Sequence, residues 1–167
     1  MNEKKATLKK TARRKRTALP PGLLVSERVQ LHDVRLWQYA CDQQVEALAS
    51  SKKQYDVTHS ATIRIDKAEG RLCVLPKFHF EAFNENFRDR AIITIDATFL
   101  LIYGIENFDG LKQKGYQQFA DMNGVYNAWP YWRELVQSTI ARMGLPTLVL
   151  PVFRIVEPVE PHMKKRK

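Results

Sequence analysis

The chain has 167 residues, 44% of them hydrophobic and 10% aromatic, enough for one domain with a real core and unstructured ends. Its net charge of +9 lies in the ends: residues 1–16 hold eight cations and one acid, residues 164–167 are all cationic, and residues 17–163 hold 15 cations and 17 acids. A near-neutral body argues against a uniformly basic nucleic-acid domain, and the sequence shows no metal-ligand spacing of histidines, no glycine-rich phosphate loop and no reactive-cysteine signature.

Residues 1–22 read as a disordered basic arm. Like charges repel, no apolar period is present, and Pro20-Pro21-Gly22 closes the arm. The folded domain is expected over residues 23–157, with a basic tail over 158–167. No apolar signal core follows the basic start, and no apolar run approaches the ~18 residues of a membrane span, so the cytoplasm is the expected location. Cys41 and Cys73 are expected to be buried thiols in a reducing compartment.

"VQLHDVRLWQYAC" (Val29–Cys41) reads as a strand whose apolar parity shifts between Leu31 and Val34, which predicts a bulge or a strong twist near His32-Asp33. "VTHSATIRID" alternates weakly, and Lys67–Gly70 reads as a four-residue hairpin connection. In "RLCVLPKFHFEAF" one face carries Leu72, Val74, Phe78 and Phe80 and the other Lys77, His79 and Glu81. Pro76 predicts an edge strand or a bulge there. "NENFRDR" reads as the next turn. Ala91–Ile105 becomes apolar on both faces from Phe99, as a central or interface strand does. Four strands in succession predict an antiparallel meander or a related sheet.

The period then changes. Leu111–Asn123 reads as a short helix carrying Leu111, Phe119 and Met122 inward. A longer helix is expected from Pro130 to Met143, capped by Asn127 or Trp129, with Trp132, Leu135, Val136, Thr139, Ile140 and Met143 on one stripe. Arg133, Glu134 and Gln137 fall on the opposite face. Gly144 suits the residue past the helix end, Arg142 suits its negative pole, and Pro146 prevents resumption. Val149–Val156 reads as extended, but Pro151 and Pro158 forbid a regular central strand.

No constellation meets the requirements of a catalytic site, so the chain is read as a non-enzyme that needs no cofactor, with His79 on a solvent face. Tyr126, Trp129, Tyr131 and Trp132 form an aromatic cluster. Trp132, on the apolar stripe, suits a core anchor. Trp129 and Tyr131, at the helix mouth, suit rings that meet both core and a bound segment. Loops held by prolines beside apolar strands make grooves, and grooves bind peptides.

These residues carry a resemblance. "WPYWRELVQSTIARMGLPTLVLP" is similar to the C-terminal signature of the SecB family of protein-export chaperones: Trp129-Pro130-Tyr131, then Arg133-Glu134, a helix with Arg142 near its end, and Pro146-Thr147-Leu148-Val149-Leu150. "FADMN" (Phe119–Asn123) resembles the family's approach to that helix, and Val29–Cys41 its first strand. The resemblance implies an α+β protomer, a four-stranded antiparallel sheet with helices packed on one face. It implies a homotetramer, a dimer of dimers, in which the long helix takes part through Arg133, Glu134 and Gln137. It implies an ATP-independent holdase that binds unfolded polypeptides in apolar grooves, with Phe119, Trp129, Tyr131, Leu148 and Leu150 as the expected groove residues. The family's partners are the SecA motor or, in toxin–antitoxin systems, an antitoxin. The chain departs from the family where a second helix and an acidic tail are expected, because Pro151, Pro158 and Pro161 precede "KKRK". Its near-neutral body also lacks the acidic surface that SecA docking uses. The alternative is a nucleic-acid or ribosome-binding module acting through the basic arm, since phosphate neutralisation releases counterions. That arm has no aromatic residue for base stacking.

Overall fold

The structure, a computed structural model, describes residues 19–45, 47, 53–84 and 87–154. The basic arm up to residue 18 and the tail over 158–167 lie outside the described residues. The chain forms helix α1 (Pro21–Ser26), strands β1 (Val29–Gln43), β2 (Lys53–Asp66), β3 (Arg71–Asn84) and β4 (Phe87–Ile105), helix α2 (Gln113–Phe119), a π-helical segment (Ala120–Gly124) and helix α3 (Val125–Arg142). No helix among the described residues is long and apolar enough to cross a membrane.

The strands make one antiparallel sheet in the order β1-β4-β3-β2. β2, β3 and β4 follow one another as a meander, but β1 crosses to pair with β4, which makes the sheet a Greek key. β1 carries two register shifts, between Leu31 and Asp33 and between Leu36 and Gln38. Each extra residue reverses the strand's parity. Val29 and Leu31 oppose Ile105 and Tyr103, Val34 and Leu36 oppose Leu101 and Phe99, and Tyr39 and Cys41 oppose Ala97 and Ile95. The bulges therefore keep the apolar residues of β1 on one face despite a sequence that changes phase twice.

The helices cover the β3 and β4 part of that face and leave Leu31, Leu36 and Tyr39 of β1 exposed. Leu72, Val74, Phe78 and Phe80 from β3 meet Ile95, Leu101 and Tyr103 from β4, all buried, beneath Phe119, Trp132, Val136 and Ile140. The indole of Trp132 stacks on Phe78 with centroids 5.3 Å apart and planes at 11°. Burying such rings supplies much of the core of a domain this size.

Several expectations are corrected. Pro76 sits in an interior strand: it opposes Ala61 on β2, and the ladder to β4 breaks at Leu75 and Pro76, then resumes at Lys77 and Thr98 in the same register. The missing N–H is thus accommodated by a gap rather than an edge. β4 begins at Phe87, so most of the expected turn is strand. Pro21 and Gly22, assigned to the arm, are helical, with the Gly22 N–H donating to Gln118 Oε1 at 3.2 Å. The helix expected over Leu111–Asn123 begins at Gln113, past Leu111, and runs into the π-helical segment, where Met122 is 49% exposed. Neither Asn127 nor Trp129 caps a helix. α3 already runs from Val125, and Pro130 lies inside it on the exposed side, where water can reach the carbonyl that its ring leaves unbonded. Cys41 is exposed and Cys73 only half-buried, so the two thiols are not core residues.

Candidate peptide-binding site

The site begins where α3 ends. Gly144 adopts φ +73°, its N–H donates to the Ala141 carbonyl at 3.1 Å, and the Leu145 N–H donates to the Ile140 carbonyl at 3.3 Å. This pair of bonds is a Schellman stop, which glycine reaches without steric cost. It turns the chain back on itself. The segment Leu145–Arg154, which we call the strap, then returns antiparallel to α3. Leu145 lies by Ile140, the Leu150 carbonyl accepts from Arg133 Nε at 2.7 Å, and the Pro151 carbonyl accepts from Trp129 Nε1 at 2.8 Å. The other side of the strap follows β2, with Leu148 near Tyr55 and Phe153 edge-on to His59 at 5.5 Å. Phe153 also meets Trp129 at 5.2 Å. The strap thus fills a crevice between α3 and the β2–β3 half of the sheet.

The crevice is not filled throughout. Near the C-terminal end of α3 it holds a cavity of about 210 Å³ bounded by Tyr55, Phe80, Ala82, Ile93, Ile140 and Leu148, with Pro146 and Thr147 at its rim. Its lining is apolar apart from one phenol and one hydroxyl. Such a cavity removes the apolar surface of a bound side chain from water. Among the described residues no group of three or more His, Cys, Asp or Glu side chains could hold a metal ion.

The residues expected to form the groove are dispersed. Leu148 is half-buried and lines the cavity, and Leu150, 1% exposed, points inward from the strap. Trp129 is buried between Phe78, at 5.8 Å, and Phe153. Tyr131 is 48% exposed on the β4 side of α3, tilted against Phe99 at 6.4 Å. Phe119 lies in the core with its ring edge-on to Tyr103 at 5.1 Å. Of the expected interface residues, Glu134 and Gln137 are exposed on α3, while Arg133 is half-buried and clasps the strap. Sequence reasoning missed Tyr55, Phe80, Ala82 and Ile93 as cavity residues. Tyr55 opposes Ala82 and stacks on Phe80 at 5.7 Å, but it follows "KKQ" in a stretch with no apolar alternation to mark it.

The opposite face of the sheet has a different character. His79 is bracketed, with Nδ1 3.0 Å from Asp96 Oδ1 and Nε2 3.1 Å from Glu81 Oε1. Burial pulls its pKa down, but hydrogen bonds to Glu81 and Asp96 and the charges of both outweigh it, and the pKa lies above the usual histidine value. Asp33 is likewise paired, with Arg35 at 2.5 Å. At the edge, the Tyr39 hydroxyl lies 2.8 Å from Thr139 Oγ1 and ties β1 to α3.

Neither a protein-family model nor a curated protein matches the sequence. Among solved structures the chain is similar to a SecB-like chaperone of Mycobacterium tuberculosis, solved in complex with a peptide from an antitoxin. The two share 20% identity and superpose with a TM-score of 0.70 over 82% of this chain and 99% of that one. A protein of unknown function from Streptococcus agalactiae, 15% identical over 74% of this chain and 96% of its own, gives a TM-score of 0.37 and carries no argument. The first similarity establishes a SecB-like fold for this chain.

Proposed function

Starting from a SecB-like fold, we propose that the protein is an ATP-independent holdase that shields apolar segments of non-native polypeptides. The observation that carries this reading is the largely apolar crevice between α3 and β2, with its open cavity of about 210 Å³. The structural neighbour is a chaperone rather than an enzyme, which supports the same class. Burial of a client's apolar side chains, at about 25 cal/mol per Å², needs no nucleotide. Tyr55 and Phe80 are the proposed anchors, with Trp129 extending the crevice, while Leu148 and Leu150 border it from the strap. Phe119 supports it from the core, and Tyr131 offers a separate exposed ring.

The neighbour's antitoxin peptide favours a client of that type, an aggregation-prone partner held until it folds or binds. Export through SecA has less support, because residues 17–163 are near neutral and Asp33, Glu81 and Asp96 on the open sheet face pair with Arg35 and His79. We further propose a homotetramer. Leu31, Leu36, Trp37 and Tyr39 are exposed along edge strand β1, and an exposed apolar edge of this kind is covered by pairing. Glu134 and Gln137 on α3 are proposed for the second contact. The test is whether the purified protein keeps an unfolded chain soluble without nucleotide, and whether Tyr55→Glu abolishes that activity while the fold persists.

A further inference from the structure

We infer that the strap occupies the protein's own peptide site as a surrogate client, and that a bound client displaces it. The inference rests on the holdase reading and assigns the ligand: an extended, uncharged peptide with apolar side chains at positions equivalent to Leu148, Leu150 and Phe153. Three observations carry it. The strap is two-faced as a docked peptide is, alternating from Leu148 to Pro151 and turning inward again at Phe153. Leu148, Leu150 and Phe153 turn inward, while Val149 and Val152 are 54% and 56% exposed.

The strap is also gripped in a way any peptide can be. Arg133 Nε and Trp129 Nε1 donate to successive main-chain carbonyls, Leu150 and Pro151, at 2.7 and 2.8 Å. A carbonyl is common to every residue, so these donors fix a backbone without reading its sequence. Side-chain selection falls to the apolar walls, Phe78 and His59 at one end and Tyr55 and Phe80 at the other. This division of labour is that of a peptide-binding groove.

Finally, the strap can leave without unpairing the sheet, although Leu150, 1% exposed, must come out of the core with it. From Pro146 to Arg154 it belongs to no helix or strand. Pro146 and Pro151 lack the N–H needed to anneal to β2. Lifting residues 146–154 breaks the bonds from Arg133 and Trp129 and the contacts of Leu148, Leu150 and Phe153, but no ladder of the sheet and no turn of α3. The cavity beside Leu148 is the stretch of the same crevice that the strap leaves open.

The experiment follows amide hydrogen exchange of residues 147–154 in the full chain, alone and saturated with reduced, carboxymethylated α-lactalbumin as a permanently unfolded probe. Displacement predicts faster exchange in the strap when the probe is bound, with the sheet unchanged. In parallel, Phe153→Ser, which loosens the strap from Trp129 and His59, raises probe affinity about tenfold, as removing an occupant present about nine-tenths of the time does. Probe binding with strap exchange unchanged or slowed, and no gain in Phe153→Ser, overturns the inference and leaves the holdase reading intact. Binding by Phe153→Ser but not by the natural chain supports it. Binding by neither overturns both.

Discussion

The indole N–H of Trp129 donates to the Pro151 carbonyl at 2.8 Å, across 22 residues of sequence. The bond couples the aromatic start of the family-like signature to its proline-rich end. It also explains why a tryptophan is used where phenylalanine could fill the same space: the ring packs on Phe78 and Phe153, and its one donor faces outward to the strap. Trp129→Phe keeps the packing and deletes the donor. The expected cost is about 1 kcal/mol, since Pro151 is exposed and its carbonyl can turn to water. Trp129→Ala removes the ring and costs about 3–5 kcal/mol, as truncation of a buried aromatic does. Urea unfolding of the two variants distinguishes the contributions.

Gly144 ends α3 with φ +73°. A side chain finds open space there, with nothing within 4 Å, so the strain of Gly144→Ala is conformational alone. The variant is expected to lose about 1 kcal/mol. A loss near zero in chemical denaturation would contradict the Schellman geometry.

His79 provides a pH test. Its folded pKa is raised above the reference 6.5 by Glu81 and Asp96 against the opposing effect of burial. A raised pKa means that the imidazolium's contribution is complete below the unfolded value and is lost as pH rises through the folded value. The stability difference between the natural chain and His79→Gln is therefore expected to be largest near pH 5.5 and to shrink above neutrality. Urea midpoints measured across that range check the sign. A difference that grows with pH contradicts the bracketed imidazolium.

Trp37 is 58% exposed on edge strand β1. The tetramer proposal predicts a light-scattering mass four times the 19.4 kDa of one chain at micromolar concentration. Trp37→Lys is expected to yield a smaller species, because a charge at an edge opposes pairing. A natural chain that scatters as a monomer would contradict the assembly.

What the sequence disclosed follows from how local each signal is. The faces of β3 and the stop at Gly144 depend on residues within a few positions, and both are where the periodicity puts them. Of the bulge or strong twist that the parity change near His32 called for, the strand uses the bulge, which restores the apolar phase with one extra residue. The second bulge, after Leu36, was hidden because Trp37 and Tyr39 suit either face. Pro130 was misleading: a helix begun upstream, with a π-helical segment before it, carries the proline in its interior, and a preference for first turns cannot anticipate that. The aromatic signature marked one wall of the crevice through Trp129 and Leu150. Its other wall, Tyr55, Phe80 and Ala82, comes from strands distant in sequence, and only the register of β2 on β3 brings them under Leu148.

The most direct test of the holdase account is the binding of an unfolded probe to the full chain as salt is raised. Fluorescence anisotropy of labelled, reduced and carboxymethylated α-lactalbumin, without nucleotide, supplies the isotherm. An apolar crevice predicts binding that changes little from low to high salt, because it rests on area removed from water, and that falls about tenfold or more in Tyr55→Glu. Attraction to the basic ends, screened within about 8–10 Å at physiological ionic strength, would instead fall steeply with salt and be indifferent to Tyr55. That second outcome, or no binding at all, contradicts the account.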